Sequence, residues 1–237
     1  MVNKYNKVLL AVIGAILLVI PAGCTCSNGM VAVDCYGDLI PCDTGIYDIG
    51  SAVSSWANEW VGFLWLTDDC YDDLSISMAQ VRAPASLSPT WTPYKSSQVP
   101  AFSDTQVNVL YFSAQLPHSY KEGSNLEFHI HVAYPDAVAG NSVWYFTYSW
   151  ANIGDAFPAP SSATVTKSSI GVVDGHQLIE LKADIDGTGK KISSILLCSI
   201  QRTGTHGDDN YGNVIYLVSG DFHYQIDSLG SRTMDAK

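Results

Sequence analysis

The sequence predicts an all-β protein: a jelly-roll-like antiparallel β-sandwich preceded by a short helical, cysteine-rich segment. Three observations carry that prediction. From about Tyr71 onward, apolar and polar residues alternate with period two, as in Leu126-Glu-Phe-His-Ile-His-Val-Ala-Tyr134, the pattern of strands that bury one face. Turn sequences separate the alternating runs: Lys121-Glu-Gly-Ser, Ala139-Gly-Asn, Asp186-Gly-Thr-Gly and His206-Gly-Asp-Asp-Asn. The 237 residues are 11% aromatic and only 15% charged, which suits a folded chain with ample core and high β propensity.

Taken in order, residues 1–23 form a signal-like or membrane-anchor segment. Lys4 and Lys7 precede the apolar run from Val8 to Ile20, and Pro21-Ala22-Gly23-Cys24 follows, as in a secretory signal. The run falls short of the roughly 20 residues that cross a bilayer comfortably, so a membrane contact through residues 8–22 requires a tilted or snorkelled anchor. The Ala-Gly-Cys end is similar to a bacterial lipobox, which makes Cys24 a lipidation candidate, although Pro21 stands where that motif has an aliphatic residue.

Residues 24–70 form a cysteine-rich arm. Cys24, Cys26, Cys35, Cys42 and Cys70 crowd it without the paired spacing of a zinc site. With Cys24 lipidated, the other four could close two disulfides in an oxidising compartment, or all could remain free thiols. From Ser51 to Leu66 the spacing of Val53, Trp56, Trp60 and Leu64 predicts a short helix with an apolar docking stripe.

The sandwich domain occupies 71–237. Its strands are expected near 107–116, 125–134, 142–152, 177–185, 191–202 and 213–227, with weaker ones near 73–81 and 162–167. The stretch from Arg82 to Pro100 holds Pro84, Pro89, Pro93 and Pro100 and reads as an extended loop. Cys198 alternates onto an apolar face and reads as core.

Composition and motifs then limit function. A net charge of −11 argues against nucleic acid as a partner. No Gly-x-Ser-x-Gly elbow, P-loop or strand-following GxGxxG is present, so an enzyme is not expected. The sharpest local feature is the histidine strand. Alternation places Glu127, His129, His131 and Ala133 on one face and Phe128, Ile130 and Val132 on the other. With His118 upstream and His223 in Asp221-Phe-His-Tyr-Gln, the set resembles the metal-binding histidines of cupins. The Glu that follows the cupin pair is missing here, and only the loop residue Asp136 is near. His129, His131, His118 and His223 are therefore metal candidates set against a structural or interface role, and no cofactor is expected. Asp68, Asp69, Asp72 and Asp73, and again Asp208-Asp209-Asn210, read either as calcium donors or as solvated strand ends and loops. His176 and His206 stand alone in turns and are expected to be exposed.

Several segments together carry a family resemblance. They are Tyr71-Asp-Asp-Leu74, the run from Phe112 to Gly123, Phe128-His-Ile-His131, Tyr148-Ser-Trp-Ala-Asn152, the run from Asp186 to Ser194, and the tail from Asp221 to Arg232. Over about residues 70–237 the chain resembles a group of virion-associated structural proteins of tailed bacteriophages. The resemblance implies a non-enzymatic β-sandwich subunit, a decoration, spike or tail-associated protein located in the virion. It implies homo-oligomerisation, with a trimer as the expected state, and contacts with other virion proteins or a host surface glycan. The leader keeps a second expectation open, an exported, membrane-anchored surface lipoprotein with a carbohydrate-binding sandwich. A cupin-like metal-binding protein is the third.

Overall fold

The computed structural model describes residues 31–33, 39–41, 65–231 and 233. Two compact units divide the chain at Val61/Gly62. In the first, strands β1 (Val31–Val33) and β2 (Leu39–Pro41) pair antiparallel. The leader, the lipidation candidate Cys24 and most of the predicted Ser51–Leu66 helix lie outside the described residues. Among the described residues no helix is long and apolar enough to cross a membrane.

The second unit is the antiparallel β-sandwich. Ten strands build it: β3 (Trp65–Ile76), β4 (Thr90–Tyr94), β5 (Ser97–Phe102), β6 (Val107–Gln115), β7 (Leu126–Tyr134), β8 (Asn141–Ala151), β9 (Ser161–Ser168), β10 (Gly175–Ile185), β11 (Ile195–Thr203) and β12 (Ile215–Ser228). One sheet runs β10-β7-β12-β5-β4, with β3 also paired to β12; the other runs β6-β11-β8-β9. From β5 onward the chain crosses between sheets at every connection except the β8–β9 hairpin. That is the weave of an eight-stranded jelly roll.

Alternation decides the core. Phe128 points inward from β7 and stacks on Phe146 of the opposite sheet with centroids 4.3 Å apart. It also meets Phe112 at 5.5 Å and its neighbour Phe222 at 4.6 Å. All four rings are buried, each contributing about 1.5–3 kcal/mol of hydrophobic stabilisation. Cys198 is buried among them as expected, and burial pushes its thiol pKa upward.

Two expectations are corrected. The proline-rich stretch is no loop. It contains the β4–β5 hairpin, with Lys95 turning at φ 50°. Its prolines fit because Pro93 sits on the edge strand, while Pro100 lies outside the two β5 residues, Ala101 and Phe102, that pair with β12. Trp65 and Leu66, assigned to the end of a helix, begin β3, whose pairing with β12 reaches Ser228↔Trp65. Of the two readings left open for the cysteines, Cys70 follows the free thiol, while Cys26, Cys35 and Cys42 lie outside the described residues.

One end of the sandwich is locked by residues from the segments that carry the family resemblance. Gly123 N donates to Lys190 O (3.0 Å), Ile192 N to Glu122 Oε1 (3.1 Å) and Lys191 N to Asn152 Oδ1 (3.0 Å). Trp150 Nε1 donates to Ser194 Oγ at 2.9 Å, and Lys190 Nζ to Trp150 O at 2.9 Å. Gly187 lies so close to this lock that a Cβ would meet Ser124 O at 1.7 Å, which only a glycine avoids.

Candidate functional site

The outer face of the first sheet is where the ionisable side chains gather. Register sets them in rows: Asp221 of β12 lies opposite His129 of β7, and His223 lies opposite Glu127. On the other side of β12, Asp73 of β3 lies opposite His223. A register shift between Leu217 and Ser219 makes this possible. Leu217 points into the core; the extra residue flips the parity, so that Phe222 and Tyr224 are buried inward while Asp221 and His223 turn out.

His129 is almost wholly buried although it faces outward, because the rings of His131 and His223 flank it edge-on at 5.0 and 4.4 Å. Its Nε2 contacts Asp221 Oδ1. The other Asp221 oxygen lies 3.1 Å from His131 Nε2, and His131 Nδ1 lies 2.7 Å from His176 Nε2. His223 Nε2 pairs with Asp73 Oδ1 at 3.0 Å. Glu127 Oε1 stands between two imidazoles, 3.7 Å from His129 Nδ1 and 3.8 Å from His223 Nδ1. Burial holds the His129 pKa below the ordinary imidazole value, opposed by Asp221 and Glu127 and aided by the neighbouring His223 and His131.

Two buried atoms in this face lack a hydrogen bond, His129 Nδ1 and Asp221 Oδ1. Asp221 Oδ1 touches His129 Nε2 as an ion-pair contact but without hydrogen-bond geometry. Buried polar groups are ordinarily satisfied, so an orphan in a cluster of metal-ligating side chains marks spare coordinating capacity.

The candidates named from sequence thus separate. His129, His131 and His223 share this face. His118 does not join them: its Nδ1 lies 2.6 Å from Ser231 Oγ and its Nε2 3.1 Å from Ser193 Oγ. Asp136 is taken up by Asn213 Nδ2, Val138 N and Tyr211 Oη at 2.8, 3.0 and 2.9 Å, bonds that hold its carboxyl below its ordinary value. His176, expected alone in a turn, sits on β10 against His131. Sequence reading missed Asp221 and Glu127 as partners, although the even spacing of Glu127, His129 and His131 already put them on one face.

Of the acidic runs, Asp69, Asp72, Asp73 and Asp208 are exposed, as the solvated reading expects, whereas Asp209 departs from both readings. The Asp209 side chain is fully buried and pairs with buried Arg202 at 2.8 Å. Asp72 accepts from Tyr224 Oη at 3.0 Å and Asp69 pairs with Lys121 at 3.0 Å. These carboxylates tie strands and loops together. A separate cleft, lined by Arg82, Trp91, Tyr94, Lys95 and Val99 among others, lies beside the β4–β5 hairpin and contains none of the histidines.

No family model matches the chain, and no curated protein matches it. Among solved structures it is similar to the CBM22-2 xylan-binding domain from Paenibacillus barcinonensis Xyn10C, at 12% identity and a TM-score of 0.39, covering 65% of this chain and 98% of that one. It is also similar to TmCBM61 in complex with beta-1,4-galactotriose, at 9% identity and a TM-score of 0.30 over 64% of this chain and 86% of that one. A third is Eiger TNF from S. frugiperda, at 12% identity and a TM-score of 0.25 over 73% and 94%.

Proposed function

We propose that this chain is a structural β-sandwich subunit of a tailed-phage particle that acts through contacts with copies of itself and with other virion proteins. The observation that carries the reading is the fate of the segments that carry the family resemblance. The runs around Glu122-Gly123, Trp150 to Asn152 and Gly187 to Ser194 hydrogen-bond to one another at one end of the sandwich. They specify a rigid body, as an assembly subunit requires, and their polar groups are consumed in holding it.

A surface suited to contacts supports the same reading. On the outer face of the second sheet Tyr111, Ile195 and Leu197 are exposed, with Phe157 beside Leu197 along the same hollow. Clustered exposed apolar groups of this kind mark association surfaces. Mass spectrometry and antibody labelling of purified particles test the proposal. Detection at a fixed copy number per particle is expected. Absence from particles, with the protein recovered instead in a palmitate-labelled membrane fraction that depends on Cys24, would overturn it in favour of a surface lipoprotein.

A further inference from the structure

The geometry points to a divalent transition-metal site built by Glu127 Oε1, His129 Nδ1 and His223 Nδ1 on the outer face of the first sheet, suited to a zinc-like cation. This goes beyond the virion reading and does not depend on it.

Three donors that share a cation at about 2.0–2.2 Å must themselves stand about 3.4 Å apart in tetrahedral geometry. Glu127 Oε1 lies 3.7 Å from one imidazole nitrogen and 3.8 Å from the other, and the three residues each bring one ligand atom within 4.8 Å of the others'. Those separations are too long for hydrogen bonds and close to what a bound ion needs. His129 Nδ1 is one of the two buried atoms in this face without a hydrogen bond, and a coordinate bond would satisfy it.

The far nitrogen of each imidazole is already in place. His129 Nε2 rests on Asp221 and His223 Nε2 on Asp73, so each ring is backed by a carboxylate. Metal-ligating histidines almost always have such a partner, which fixes the ring and raises its basicity. Asp221 is in turn held by His131, and His131 by His176. The pair that first drew notice therefore splits: His129 is a ligand and His131 a support. A hollow of about 210 Å³, lined by Tyr71, Asn125, Glu127 and His223 among others, borders two of the three donor residues. It leaves a fourth position for water or a group from a partner.

The test uses the purified full chain, stripped with chelator and titrated with zinc chloride and with cobalt chloride. Binding of one equivalent is expected, with cobalt d–d bands and no sulfur-to-metal charge-transfer band, since no cysteine takes part. Glu127→Gln and His223→Ala, both at partly exposed positions, should each weaken binding at least tenfold while leaving the circular dichroism spectrum unchanged. Asp73→Ala should weaken it about tenfold through loss of the backing carboxylate, and His118→Ala should have no effect. Less than a tenth of an equivalent bound, a thiolate band, or unchanged affinity in Glu127→Gln and His223→Ala would overturn the assignment. Absence of the protein from particles would leave it standing.

Discussion

Two clusters of buried charge sit in one sandwich and end in opposite conditions. Arg202 spends its guanidinium donors on Asp209 Oδ1 and Oδ2 and on the carbonyls of Phe102, Asn213 and Tyr211, at 2.8–3.1 Å. Asp209 also accepts Val143 N at 2.9 Å, and Tyr211 packs its ring against the guanidinium. The His129–Asp221 cluster is buried at its centre, with half-buried side chains around it, and keeps two orphaned atoms. A saturated cluster is finished by folding: it joins the 203–213 loop to β5, β8 and β11 and has nothing left for a ligand. An unsaturated one costs stability in the isolated chain and keeps capacity for something that arrives later.

The largest expected effect tests the saturated side. Asp209→Ala strands a buried guanidinium and should cost about 3–5 kcal/mol, read as a lowered urea midpoint with an unchanged slope. A loss under 1 kcal/mol would remove the contrast between the clusters. Phe128→Ala gives a scale for that number, since it opens the stack between the sheets and should cost about 3–5 kcal/mol by the same measurement.

A mid-sized effect comes from alkaline pH. Burial pushes the Tyr120 hydroxyl up to about 12 in the folded chain from an ordinary 10. Between those values the unfolded chain has lost the proton that the folded chain keeps. The Tyr120 contribution is therefore intact below pH 10 and should fall by about 2–3 kcal/mol as pH rises to 12, on top of losses from the other raised tyrosines. Unfolding midpoints measured from pH 9 to 12 check this, and Tyr120→Phe should lessen the fall by about 2–3 kcal/mol. The smallest effect tests the unsaturated side. Glu127→Gln in metal-free protein should shift stability by less than about 0.5 kcal/mol, while removing the stabilisation that zinc gives the wild-type chain. A large loss without metal would make Glu127 part of the scaffold rather than of a site.

Much of the sandwich was legible because burial of one face imposes period two on the sequence. The strands β6 to β12 follow the predicted ones closely, and the jelly-roll class with them. The β4–β5 hairpin was hidden by its prolines, which are breakers in a central strand but harmless where no ladder bond is needed. Arg202 carried a readable signal: it continues the inward parity of Leu196, Cys198 and Ile200, and acidic residues follow within the next turn. Asp221 carried none. Its facing depends on the register shift at Leu217/Ser219, and His176 reaches His131 only through the β10–β7 pairing. Neighbours of that kind arise from tertiary register, which one strand's pattern does not encode. His118 misled in the reverse way, since nearness in sequence put it with histidines from which the turn directs it away.

The 14 residues of β12 have one more consequence. This strand hydrogen-bonds β7 along one side and β5 and β3 along the other, so it is the middle member that the first sheet closes around. It is also translated after all three. While the ribosome is still working, β7 and β3 must wait with open edges, and Phe128, already able to meet Phe112 and Phe146, still lacks its neighbour Phe222. Synthesis therefore passes through an interval of exposed strand edges that ends in a single late closing step, and the growing chain is most prone to stick to its neighbours during that interval. Slowing translation across β12 should raise aggregation more than slowing it across β9, which only completes a hairpin already begun by β8.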